Sequence, residues 1–64
     1  MTGKITKYFE DKGYGFIAND LGESYFFHIS KVQNQDDIDR GRTVEFNAGE
    51  NEKGLVATDV QIVG

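Results

Sequence analysis

Three aromatic rings and the only imidazole of the chain fall at alternate positions in two short segments: Tyr14 and Phe16, then Phe26 and His28. Alternate residues of a β-strand share a face, so each pair projects from one side of its strand. On neighbouring strands such pairs make a patch of π-faces. That chemistry suits stacking on single-stranded RNA or DNA, because every base offers a π-face. Tyr8 and Phe9 supply two more rings upstream, with Lys7 before them and Lys12 ahead of Tyr14. An ammonium beside a stacked base meets the phosphate backbone. The nucleic-acid-binding candidates are therefore Lys7, Tyr8, Phe9, Lys12, Tyr14, Phe16, Phe26 and His28. Catalysis is not expected, since His28 has no nucleophile at a recognisable spacing. With no cysteine and no second histidine, neither a metal site nor a cofactor is expected.

The elements that must hold these rings are short. Runs rich in β-branched and aromatic residues are separated by Gly, Asp and Asn clusters, and no helical stripe appears. Five strands are expected, at Gly3–Phe9, Tyr14–Asn19, Ser24–Ile29, Thr43–Ala48 and Leu55–Val63. The longer polar stretch Ser30–Arg42 carries Val32 and Ile38 as apolar anchors, with room for a short helical turn after Ser30. Closing such strands into a barrel removes exposed edges in so small a protein. Residues 1–64 make one domain, which buries only about 60% of its unfolded surface and leaves little room for a deep pocket.

Strand alternation then sorts the faces. Val44, Phe46 and Ala48 share one side of the fourth strand, and Val56, Val60 and Ile62 are expected to point inward from the fifth. The second and third strands are different, because both of their faces carry large apolar groups. One small interior cannot hold them all. If Ile17, Phe27 and Ile29 join Ile5, Val44, Phe46 and Val60 inside, then Tyr14, Phe16, Phe26 and His28 are left outside as a patch of the kind that marks binding sites.

Charge sets a counterweight. Seven Lys and Arg face eleven Asp and Glu, a net charge of −4, whereas nucleic-acid binders are usually basic. The lysines Lys4, Lys7 and Lys12 nevertheless fall early, among the aromatics, while Asp36, Asp37, Asp39, Glu45, Glu50 and Glu52 come later. A local positive edge can coexist with a negative molecule. No stretch approaches the roughly 20 apolar residues of a membrane helix, and the first residues lack the apolar core of a signal peptide. A cytoplasmic monomer that avoids membranes is the expectation.

Three ordered motifs carry a resemblance that spans nearly the whole chain. Lys12-Gly13-Tyr14-Gly15-Phe16-Ile17 resembles the first ribonucleoprotein element of cold-shock domains. Phe26-Phe27-His28-Ile29 resembles their second such element, and Lys7-Tyr8-Phe9 resembles the Lys-Trp-Phe segment that opens the family's binding face. The resemblance implies an all-β, five-stranded antiparallel OB-fold β-barrel. It further implies an RNA chaperone that coats single strands, disfavours hairpins and influences transcription or translation. An RNA-recognition-motif domain fits poorly: its eighth-position aromatic is Asn19 here, and its two helices have no sequence to form them.

The chain also departs from the cold-shock pattern. Tyr8 stands where the family has Trp, Glu10 where Asn usually follows, and Ile29 where a further Phe usually stacks. The Ser30–Arg42 loop lacks the family's aromatic and carries Asp36, Asp37 and Asp39. These changes leave a second expectation open, a protein-interaction module on the same barrel with weak or lost nucleic-acid binding.

Overall fold

A computed structural model describes all residues from Met1 to Gly64. Its strands are β1 (Thr2–Phe9), β2 (Tyr14–Asn19), β3 (Ser24–His28), β4 (Thr43–Asn51) and β5 (Gly54–Ile62). They close into a barrel in the order β1-β2-β3-β5-β4. Four junctions are antiparallel, but β3 meets β5 in parallel through the single pair Phe26↔Val56. The expected all-β, five-stranded barrel is thus present, and its one parallel seam has a simple reason. Strand direction cannot alternate all the way round a ring with an odd number of members, so one junction must be parallel.

The interior holds Ile5, Ile17, Tyr25, Phe27, Val32, Val44, Phe46, Ala57, Val60 and Ile62. Ile17, Phe27, Ile5, Val44, Phe46 and Val60 thus lie where alternation puts them. The exceptions trace to breaks in the period of two. On β5 the register passes from Glu45↔Gln61 to Asn47↔Thr58, so β5 carries one extra residue there. Asp59 takes φ +50° at that bulge, a left-handed conformation that Asp adopts more readily than most residues. The shift turns Ala57 inward in place of Val56. On β4, Ala48 lies exposed beyond the barrel wall.

Two strand ends also differ from expectation. β4 runs on to Asn51, so its turn narrows to Glu52 and Lys53, with Gly54 at φ +128°. Asn51 Oδ1 accepts the Lys53 N–H at 2.9 Å and fixes that turn. β3 stops at His28, because the imidazole Nδ1 accepts the Ser30 N–H at 3.1 Å and caps a 3-10 turn over Ile29–Lys31. Ile29 is therefore half-buried at a corner and is not part of the core wall.

The long loop is tied down by side chains rather than by length of strand. Val32 is buried and bridges Val60, and Ile38 packs against the core. Asn34 imitates a strand neighbour, donating to the Ile62 carbonyl and accepting the Ile62 N–H, both at 3.0 Å. The β2–β3 turn is organised likewise by Asn19, whose Oδ1 accepts the Leu21 and Glu23 N–H groups.

Tyr25 links core to turn, with its ring 5.1 Å from Phe46 and its hydroxyl donating to Glu23 at 3.5 Å. Burial first, and then the Glu23 carboxylate, push the Tyr25 hydroxyl above its usual pKa of 10.0. The unfolded chain ionises this group at lower pH than the folded one, so native stability falls as pH climbs through about 10. Thermal melts between about pH 8 and 11 are expected to show a steeper decline for the native sequence than for Tyr25→Phe. Equal slopes would contradict this assignment.

Candidate nucleic-acid interface

Cross-strand partners share a face of the sheet, so the register specifies the binding surface row by row. Phe9 pairs with Tyr14, and Tyr14 with His28. Lys7 pairs with Phe16, and Phe16 with Phe26. These are two adjacent outer rows. Between them, Tyr8 pairs with Gly15 and Gly15 with Phe27, which is an inner row.

Lys7 and Phe9 reach the outer face through a bulge. From Ile5↔Ile17 the register steps to Lys7↔Phe16, two residues along β1 for one along β2. Thr6 is the extra residue, and its Oγ1 donates to the Phe16 carbonyl at 3.3 Å. Unbroken alternation from buried Ile5 would have put Lys7 and Phe9 inside. Past the bulge the strand bends over β2, and a side chain at Gly15 would have no space. A Cβ there would strike the Lys7 carbonyl oxygen and come within 2.8 Å of the Phe27 ring.

The outer rings touch one another. Tyr14 lies 5.2 Å from Phe9, 5.3 Å from Phe26 and 6.4 Å from Phe16, and Phe16 lies 5.9 Å from Phe26. All four pairs are tilted or edge-to-face, and ring quadrupoles favour such arrangements over a face-to-face sandwich. Each ring is half-buried by its neighbours, so the patch is a supported platform rather than a set of free side chains. His28 is exposed at its margin, with Nδ1 occupied by Ser30 and Nε2 left to carry the ring proton of the neutral form. Lys12 Nζ stands 5.8 Å from the Phe9 centroid, within cation–π reach.

Seven of the eight residues singled out in the sequence are thus brought together on or beside these outer rows: Lys7, Phe9, Lys12, Tyr14, Phe16, Phe26 and His28. Tyr8 is set apart. It is half-buried in the inner row and packs against the core, its ring 6.4 Å from Phe27 and nearly parallel at 14°. The Thr6 bulge is the reason, because it exchanges the faces of Tyr8 and its neighbours.

One feature has no precedent among the sequence candidates. A groove of about 600 Å³ adjoins the platform, walled by Phe16, Phe26, Leu55 and Val56. The adjacent apolar pair Leu55-Val56 was its only sequence signal, and the Asp59 bulge hid which of the two faces out. No group of three or more His, Cys, Asp or Glu is placed to hold a metal ion. No helix is long and apolar enough to cross a membrane.

A small closed five-stranded barrel with rings on one sheet face has the architecture of the OB-fold class, whose members bind oligonucleotides and oligosaccharides. Comparison with known proteins narrows it. The family described as the 'Cold-shock' DNA-binding domain matches residues 1–63. A cold shock-like protein of Thermotoga maritima is 37% identical, the alignment covering 98% of each chain. The cold shock protein CapB of Pseudomonas syringae pv. tomato is 31% identical over 98% of this chain and 94% of its own. Among solved structures, "drosophila Unr CSD456" superposes with a TM-score of 0.74 at 26% identity. That match covers 98% of this chain and 26% of the other. The chain belongs to the cold-shock domain family, and this membership supports a nucleic-acid-binding function.

Gly15→Ala is expected to cost about 1–3 kcal/mol, the usual penalty for overpacking a tight site. Urea denaturation measures it, and an unchanged midpoint would mean that β1 does not approach β2 as closely as described.

Proposed function

We propose that the protein binds single-stranded RNA or DNA by stacking bases on Phe9, Tyr14, Phe16, Phe26 and His28. Tyr8 props the platform from the inner row between the two ring rows, and Lys7 on β1 and Lys12 in the following turn meet phosphates. The protein acts as a cytoplasmic monomer and catalyses no reaction. By holding bases in the unpaired state it works as an RNA chaperone, with consequences for transcription or translation.

The observation that carries this proposal is the pairing of two outer ring rows with a separate, filled core. Ile17 and Phe27 already supply the interior from β2 and β3, so packing does not account for the rings on their opposite faces. Family membership points the same way. A second function, docking a protein partner on the same rings, draws on the exposed Glu10 and Asp11 beside Lys12, which oppose a phosphate backbone.

A labelled pyrimidine strand of about six to ten nucleotides, titrated beside a duplex of similar length, separates the two. Stacking predicts binding to the single strand alone. Phe16→Ala and Phe26→Ala should each cost about 1–3 kcal/mol. With two or three phosphates neutralised, log K should fall against log salt with a slope of about −1.5 to −2. Unaltered binding by both variants would reject stacking. Failure of the native protein to bind at low salt would favour the protein partner.

A further inference from the structure

His28 is the least braced ring of the platform. Phe9, Tyr14, Phe16 and Phe26 lie in ring pairs and are half-buried. The imidazole is exposed, and the hydrogen bonds of its side chain all go to Ser30, which is exposed as well. Nδ1 lies 3.1 Å from the Ser30 backbone nitrogen and 2.9 Å from Ser30 Oγ.

A proton changes what Nδ1 requires of a partner. In the neutral ring protonated at Nε2, Nδ1 keeps its lone pair and accepts the Ser30 N–H. An imidazolium carries N–H at both nitrogens and accepts nothing. The Ser30 N–H then faces another donor. Only the hydroxyl, which can donate or accept, is able to take the Nδ1 proton. Oγ already stands within hydrogen-bond range of that nitrogen, so the exchange needs a hydroxyl rotation and no movement of heavy atoms.

We infer that Ser30 is a positioning residue for His28, holding the imidazole in the outer row by its N–H when the ring is neutral and by its hydroxyl when the ring is charged. The inference rests on the single-strand binding proposed above. A charged ring kept in the row stacks on a base and holds its cation near the phosphates. A charged ring released from Ser30 does neither. Strand binding therefore depends on Ser30 Oγ only while His28 is charged. The other ionisable groups on the surrounding elements are Tyr14, the partner of His28 on β2, then Glu10, Asp11 and Lys12 in the β1–β2 turn, Lys31 in the 3-10 turn, and Asp59 on β5. Asp59 accepts from Asn47 on β4. All of these groups are shared by the native protein and a Ser30 variant, so the ratio of the two affinities isolates the His28–Ser30 pair.

The test compares the native protein with Ser30→Ala, which keeps the backbone N–H and so the cap. Imidazoles change charge between about pH 5 and about pH 8, and a pyrimidine single strand is titrated at both ends of that interval. At the upper end the two proteins should bind alike. At the lower end Ser30→Ala should bind about fivefold more weakly, and Ser30→Thr, which restores the hydroxyl, should bind as native. A loss equal at both ends, or none at the lower end, would overturn the role of Ser30. In a His28→Ala background the same serine substitution should have no effect at either end, and a surviving effect there would also overturn it. Three-bond couplings across the His28 χ1 angle, measured without nucleic acid, read the ring position directly. They should report one rotamer in the native protein at both ends, and averaging in Ser30→Ala at the lower end alone. If they do so while the native protein binds no strand, the positioning role stands and the stacking proposal falls. Identical couplings in the two proteins at the lower end would overturn the positioning role whatever the strand does.

Discussion

The extra residue that Thr6 inserts into β1 decides which side chains the molecule shows and which it hides. Before it, Ile5 lies in the core; after it, Lys7 and Phe9 face outward and Tyr8 turns toward Phe27. A one-residue change of register moves every later side chain to the other face, so the outer rows exist only in this alignment. The bulge also bends β1 toward β2, and the bare backbone of Gly15 is what admits that approach. Platform and barrel curvature therefore have a common origin.

A domain of 64 residues has one interior, and its core of ten buried side chains fills it. The rings on the opposite faces of β2 and β3 gain little from that core, so they gain from each other. Contacts of 5.2 to 6.4 Å leave each one half-buried, which limits the cost of exposing apolar surface while keeping π-faces open to a base. Two rows separated by an inner row match the way a flexible strand lays successive bases on a sheet. Lys7 on β1, Lys12 in the β1–β2 turn and Lys53 in the β4–β5 turn sit beside the rings, so three of the seven cations of a chain with net charge −4 lie at the platform.

How far the sequence reveals this arrangement depends on whether alternation is interrupted. β2 and β3 have no bulge, and Tyr14, Phe16, Phe26 and His28 could be assigned to one face from spacing alone. On β1 and β5 a single unmarked residue shifts the phase. Thr6 looks like any strand threonine, and Asp59 offers only the tolerance of Asp for a left-handed backbone. Tyr8, Val56 and Ala57 consequently lie on faces that spacing does not give. The end of β3 at His28 was hidden for another reason: the capping bond from Ser30 depends on an imidazole nitrogen, which composition does not foretell. The β3–β5 groove required the three-dimensional seam, since its walls come from three separate strands and a turn.

The central claim, that bases stack on the outer rows while the inner row stays closed, has a direct test in solution. NMR spectra of the protein with a pyrimidine single strand report which aromatic protons approach base protons. Intermolecular contacts should appear at Phe9, Tyr14, Phe16, Phe26 and His28, with none at Phe27 or Tyr25. Contacts confined to other surfaces, or a bound strand that leaves the five outer side chains unperturbed, would contradict the account.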